Sequence, residues 1–336
     1  MLTTLSKGIN IEQSISHLLL ILVWVGGTGV VSANTLSPVT SSISAAPLTI
    51  KQQFTAAKVS LNRIYVSPNG QSVVTASDSG VASLWSLTGD PLSTMDGQKP
   101  PMFNARFSPN GQTIVTTGYD GTIRLWNTQG KLLKQRQPHQ AAVTDILIFL
   151  DDKFIVTSSD DGQTQIFNRD GIRLAEIIKP GTARNLAYTT QGNLIASAYD
   201  SGTVYVINPN GEIQHEIGTG QGRINNVRFS PNGKQILTSG INGTAKLWQL
   251  NGQLLAELKA SSIGWVNSAA FHPNGRLIAT ASDDGILRLW QTNAKLVYSM
   301  PLGENNKLTS LDFSSDGKKL AVVSNKGQVW IVDVSN

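Results

Sequence analysis

Between Trp265 and Ser299 the chain alternates apolar runs with polar punctuation at intervals too short for a helix. WVNSAAF (Trp265 to Phe271) fits a strand, and the Pro-Asn-Gly that follows ends it, with a fixed φ at one turn position and tolerance of positive φ at the others. LIATA fits a second strand, rich in small and β-branched residues. SDDG then suits a hairpin whose positive φ angles match the twist of paired strands. In ILRLW, Ile286, Arg288 and Trp290 fall on one side of the pleat and Leu287 and Leu289 on the other. KLVYS (Lys295 to Ser299) completes a four-stranded meander.

The pattern occurs seven times. Its turn glycines are Gly80, Gly121, Gly162, Gly202, Gly243, Gly285 and Gly327, 40 to 42 residues apart. About ten residues upstream of each stands a second turn: SPNG at Ser67, Ser108 and Ser230, TTQG at Thr189, HPNG at His272, SSDG at Ser314 and a degenerate FLDD at Phe149. Five residues downstream come Trp85, Trp126, Phe167, Ile207, Trp248, Trp290 and Val332. A lone meander of this size buries too little apolar area to persist, so the units must stack on one another.

These residues resemble the WD-repeat family, whose repeats end in a Trp-Asp pair after an aspartate-glycine hairpin. The resemblance runs from about Leu48 to Asn336 and implies an all-β fold, a seven-bladed WD-type β-propeller with four antiparallel strands per blade. Closure can be argued from the residues. The seventh copy stops after its third strand, QVWIVDVS, while LTIKQQF (Leu48 to Phe54) precedes the first copy where a fourth strand would stand. The N-terminal segment is therefore expected to join the last blade and close the ring.

The chain departs from the family pattern in ways that bear on its interior. The name-giving aspartate survives as Asp333, with Ser86, Asn127, Asn168, Asn208, Gln249 and Gln291 in the other copies. The family's buried network, which links a histidine before the first strand to the hairpin aspartate and the tryptophan, is nowhere complete. His139 with Asp161 comes nearest, but its tryptophan has become Phe167; Asp120 with Trp126 and Asp284 with Trp290 lack the histidine. Packing is then expected to hold the blades together.

Composition agrees with a turn-rich globular β protein. The 336 residues include 31 Gly and 13 Pro, and 15% are charged. The net charge of +5 raises the question of nucleic acid, but Lys and Arg are scattered and the longest basic run is Lys318-Lys319. Nucleic-acid binding is not expected on that footprint. Ahead of the repeats, residues 18–31 are apolar and too short to span a bilayer comfortably. Val31-Ser32-Ala33 places small residues where a signal peptidase needs them, so residues 1–33 read as a signal peptide cleaved before Asn34, or as an uncleaved membrane anchor. Residues 34–47, NTLSPVTSSISAAP, form an uncharged linker, and residues 48–336 form the propeller, expected to be monomeric. The expected destination lies outside the cytoplasm: periplasm, exterior or organelle lumen. The absence of cysteine is compatible with that compartment.

No catalytic constellation stands out, and neither a metal nor a cofactor is expected. The four histidines are His17 in the signal segment, His272 in a surface turn, His215 in a fourth strand and His139 in its structural place; no two have metal-ligand spacing. An aspartate in nearly every hairpin is explained by turn formation. GTGQGR (Gly218 to Arg223) departs from the G-x-G-x-x-G order and no helix follows it, so it reads as the loop between the fourth and fifth blades. Asn242-Gly243-Thr244 matches a glycosylation acceptor within a hairpin that the repeat already explains.

What remains is surface. In the WD-repeat family the hairpins between strands two and three and the loops entering strand one share a face around the channel, and partners commonly dock there. The exposed hairpin position is filled by Asp78, Tyr119, Asp160, Asp200, Ile241, Asp283 and Asn325, a broken acidic ring. Bulges opening the first strands are expected to bring Phe103, Arg184, Arg223, Trp265 and Lys307 to the same rim. Aromatic and arginine side chains dominate interface hot spots, which makes Trp265, Phe103 and Tyr119 the leading contacts. The alternative is burial of Trp265 and Phe103 between blades. Two functions follow: a non-catalytic protein-interaction platform outside the cytoplasm, whose partner the residues do not name, or a secreted propeller enzyme or small-ligand binder in which Asp78, Asp160, Asp200 and Asp283 converge on a cation.

Overall fold

The computed structural model describes residues 48–149, 153–190, 193–303 and 305–335. The segments read as signal and linker, residues 1–47, lie outside the described residues. The described chain forms seven four-stranded antiparallel sheets. Blades 1 to 6 are single meanders spanning 61–95, 102–136, 143–178, 183–218, 224–259 and 266–301. Blade 7 combines three strands from 308–334 with Leu48–Thr55, which pairs antiparallel with Gln328–Val334 from Leu48 opposite Val334 to Thr55 opposite Gln328. The ring is thus closed by the N-terminal strand, and the edge of the last meander is covered.

Tight turns set the meanders. In the blade 6 hairpin Gly285 holds φ at +74°, and a Cβ built on it would lie 2.6 Å from the carbonyl oxygen of Asn306. Only glycine fits that approach. Strand faces then bury between blades. Apolar clusters fill the interfaces of blades 1 and 2, 3 and 4, 4 and 5, 5 and 6, 6 and 7, and 7 and 1. Each fully buried Leu or Ile in them contributes on the order of 2 kcal/mol relative to exposure.

Every first strand slips its register once, next to its first paired residue. The extra, unpaired residues are Asn62, Phe103, Thr144, Arg184, Asn225, Asn267 and Thr309. A bulge of this kind re-aims a side chain, and here it does so at the same level of all seven blades.

Candidate docking face

Seven equivalent backbone hydrogen bonds build the rim. The hairpin N–H groups of Asp78, Tyr119, Asp160, Asp200, Ile241, Asp283 and Asn325 donate to the carbonyls of Ser60, Pro101, Ala142, Thr182, Arg223, Trp265 and Lys307, at 2.9 to 3.1 Å. The hairpins and the loops entering the first strands therefore share one face.

The expected rim residues occupy two different levels of it. Phe103 and Arg184 are bulge residues, but Arg223, Trp265 and Lys307 are the carbonyl-bearing loop residues two positions earlier. The expectation that bulges present all five is corrected accordingly. The register slip comes after the first paired residue, so in blades 5, 6 and 7 the bulge falls on Asn225, Asn267 and Thr309.

Those polar bulge residues have a task that sequence reading missed. Asn62 Nδ2 donates to the carbonyl of Met102 at 2.8 Å, Asn225 to Val266 at 3.2 Å and Asn267 to Leu308 at 2.9 Å; the hydroxyls of Thr144 and Thr309 donate to Ala183 and Leu61. Each of the five staples its blade to the next. Phe103 and Arg184 are the two bulge residues without that bond among the described residues, leaving their side chains to other uses. The signal was a polar residue recurring at the second position of the first strand, as in LN, VT, IN, VN and LT.

Charge on the rim is ordered. Arg184 lies between two hairpins, with Nη1 3.2 Å from Asp160 Oδ1 and Nη2 3.9 Å from Asp200 Oδ2. Burial raises the Asp160 carboxyl above its ordinary range; Arg184 opposes that rise and Asp200 reinforces it. The Arg223 guanidinium sits 4.7 Å from the centroid of the Trp265 ring, in cation–π geometry. Burial lowers the Arg223 pKa, and neighbouring Arg184 lowers it further. Trp265 remains 40% exposed and Tyr119 63% exposed, so the burial alternative fails for Trp265, while Phe103 is half-buried. Ile241 and Ile263 add exposed apolar surface beside Trp265.

The aspartates are spoken for individually. Asp78 accepts from Asn62 Nδ2 at 2.8 Å, and Asp283 accepts from Asn267 Nδ2 at 2.8 Å with Lys307 Nζ at 3.4 Å. Asp160 and Asp200 share Arg184. They do not converge, and no three His, Asp or Glu among the described residues are grouped to hold a metal ion.

Below the rim the channel wall is stitched by a belt. The fully buried Asp145 carboxylate accepts from Ile146 N (2.7 Å), Leu186 N (2.8 Å), Asn185 Nδ2 (2.6 Å) and Asn104 Nδ2. Asn185 Oδ1 accepts from Val227 N at 2.9 Å, Asn226 Oδ1 from Ala269 N at 3.3 Å, and Arg63 Nη2 from blade 1 donates to the Asn225 carbonyl of blade 5 at 3.4 Å. With its partners fixed by several elements, the rim is a rigid platform rather than a set of loops.

The interior networks are better connected than the missing histidines suggest. In blade 2, Trp126 Nε1 donates to Thr116 Oγ1 (3.0 Å), whose hydroxyl donates to Gln98 Oε1 (2.9 Å), while Gln98 Nε2 donates to Asp120 Oδ1 (2.8 Å). Glutamine does the bridging work of the histidine. Burial favours neutral Asp120, but donors from Thr122, Arg124 and the Lys99 N–H outweigh it and lower the pKa. Gln221 repeats the bridge in blade 5 between Thr238, bonded to Trp248, and Thr244, which bonds Asn242. In blade 3, His139 meets Asp161 at 2.9 Å and Thr157 at 2.8 Å. Burial lowers the His139 pKa despite Asp161, so the neutral ring donates from Nδ1 and accepts at Nε2. In blade 6, Trp290 bonds Thr280 at 3.0 Å while Asp284 is clamped by Arg288 at 2.7 Å and by Ser262 N at 3.0 Å, as two separate halves.

Comparison with known proteins agrees with this architecture. The WD domain, G-beta repeat family matches residues 89–127, 130–168, 211–249 and 252–291. Each match runs from the fourth strand of one blade through the third of the next, so the repeat itself straddles blades. Over 218 residues the chain is 70% identical to WD repeat-containing protein slr1409 of Synechocystis sp., an alignment covering 65% of this chain and 67% of that one. It is also 39% identical over 92 residues to uncharacterized WD repeat-containing protein slr1410 of the same organism, covering 27% and 28% of the two chains.

Proposed function

The chain belongs to the WD-repeat family, and from that premise we propose that it is a non-catalytic scaffold that docks a protein partner on the face of the strand 2–3 hairpins, outside the cytoplasm. Proteins of this fold generally serve as interaction platforms. One observation carries the choice of face: exposed Trp265 stacked under Arg223, on the same rim as Arg184 held between Asp160 and Asp200. An aromatic and arginine side chains already fixed in place lose little entropy when a partner covers them. The cation-binding alternative receives no support from the four aspartates, of which Asp78 turns to Asn62, Asp283 to Asn267, and Asp160 and Asp200 to the Arg184 guanidinium.

Export rests on the apolar residues 18–31 and the small residues before Asn34. Two experiments test the whole reading. Crosslinked affinity capture from the cell envelope compares the wild type with a variant carrying Trp265→Ala, Asp160→Lys and Asp283→Lys, shown to be folded by its melting curve. A partner captured by the first and lost from the second is expected; equal capture by both would remove the docking face. Mass spectrometry of the protein from an extracytoplasmic fraction should show a mature terminus at Asn34 or an intact anchor, and recovery only in the cytoplasm would overturn export.

A further inference from the structure

One interface in the ring is built differently from the other six. In each blade the fourth-strand residue opposite the start of the third strand plugs the gap to the next blade. The plugs are Met95, Ile177, Ile217, Leu258, Met300 and, in blade 7, Phe54, and each packs in the apolar cluster of its interface. In blade 2 that position, opposite Ile123, is Arg136, and all five residues of its strand Leu132–Arg136 are exposed.

The missing plug leaves space. A cavity of about 480 Å³ opens between blades 2 and 3, walled by Val115, Leu125, Ile148, Ile155 and Phe167. Leu125 and Ile155 are half-buried here, whereas their counterparts on the neighbouring blades, Leu84 and Ile166 for the first and Ile114 and Ile195 for the second, are buried. On the opposite wall Phe167, a smaller ring, stands where blades 2, 5 and 6 carry a buried tryptophan, which leaves more room. Protein interiors are in general close-packed, so a space of this size with apolar walls is a place for a ligand of ordinary dimensions.

The mouth is cationic. Arg124, Lys134, Arg136 and Arg169 line the cavity, and no Asp or Glu does. Arg124 is neutralised by Asp120 at 3.0 Å. Arg136 hooks onto blade 3 through the Asp170 and Gly171 carbonyls, at 2.8 and 3.4 Å, which leaves its charge uncompensated. No ion pair among the described residues involves Lys134 or Arg169. Apolar walls under three uncompensated cations complement a molecule with a slender apolar body and one anionic end.

We propose that the cleft between blades 2 and 3 binds a free fatty-acid-type carboxylate, its chain between Leu125, Ile155 and Phe167 and its head at Arg136, Lys134 and Arg169. The site lies between blades, its lining includes none of the proposed docking residues, and it stands independently of the docking reading.

Isothermal titration of the full chain with decanoate, below its micelle concentration, tests it. Saturable one-site binding is expected, with decan-1-ol at least tenfold weaker. Arg136→Met, which restores the plug seen as Met95 and Met300, should reduce decanoate binding at least thirtyfold while keeping or raising the melting temperature. Arg136→Gln, which removes the charge without adding the plug, should bring decanoate down towards decanol. Absence of saturable decanoate binding, equal binding of decanol, or undiminished binding in folded Arg136→Met would overturn the proposal. So would binding seen only with anionic phospholipid vesicles.

Discussion

Gln98 offers the sharpest test of how the interior is held. It is 4% exposed, and its amide donates to Asp120 Oδ1 at 2.8 Å, Thr122 Oγ1 at 3.0 Å and the Thr122 carbonyl at 3.1 Å, while accepting from Thr116 at 2.9 Å. Gln98→Leu keeps most of the volume and removes every one of these bonds. Asp120 retains Arg124, Thr122 and the Lys99 N–H, so the groups left short are the Thr116 hydroxyl proton, whose oxygen still accepts from Trp126, and the Thr122 carbonyl. At about 1–3 kcal/mol for each unsatisfied buried group, the expected loss is about 3 kcal/mol. Gln98→His should cost under about 1 kcal/mol, because an imidazole there can copy the two bonds that His139 makes in blade 3. Equilibrium urea unfolding followed by far-UV circular dichroism measures both, and the Leu variant should melt about 6 °C or more below the wild type. A Leu variant within about 0.5 kcal/mol of wild type, or a His variant as unstable as the Leu variant, would refute the bridging role.

Three further outcomes follow from particular residues. Ala294 holds φ at +67° in a turn where blades 1 to 5 place Gly89, Gly130, Gly171, Gly211 and Gly252, so Ala294→Gly should stabilise by about 1 kcal/mol in the same unfolding assay, and destabilisation would count against the strain. Asp284 has its carboxyl lowered to about 2: burial opposes ionisation, but bonds from Arg288, Ser282 and the Ser262 N–H outweigh it. A lowered folded pKa gives stability that is complete above the ordinary carboxylate value and lost as pH falls from about 4 towards 2, here about 2 kcal/mol. The stability gap between wild type and Asp284→Asn should therefore narrow over that window, and a gap constant from pH 7 to about 2.5 would contradict it. Deleting Leu48–Thr55 uncovers the apolar strand Gln328–Val334; light scattering should show concentration-dependent association or loss of the cooperative transition, and an unchanged monomer with the same melting curve would refute closure by that strand.

The architecture was readable because it is periodic. Seven turn glycines in register, each followed five residues later by an apolar or aromatic position, leave little freedom for anything but stacked meanders, and the unpaired QVWIVDVS and LTIKQQF announce their partnership. What escaped notice is non-periodic or slips by one residue. A bulge changes no composition, so Arg223, Trp265 and Lys307 were assigned to a level that belongs to Asn225, Asn267 and Thr309. Gln98 and Gln221 sit in loops where glutamine carries no pattern, and their bridging shows only when strands two and three bring Thr116 and Thr238 to them. Arg136 lay open to alignment of the fourth strands, since it alone breaks an otherwise apolar column. Spacing from the turn glycines made the seven hairpin positions equivalent, while their sharing of one face came from the resemblance to the WD-repeat family; the seven equivalent backbone bonds agree with it.

The docking face is the central claim, and site-specific photocrosslinking in living cells tests it most directly. A photoreactive phenylalanine analogue replaces Tyr119 or Trp265 on the rim in turn, and Asn69 in an exposed turn between first and second strands on the opposite face as control. The account predicts one and the same crosslinked protein from both rim positions and none from Asn69. A partner crosslinked from Asn69 but not from Tyr119 or Trp265 would place docking on the other face and contradict the account.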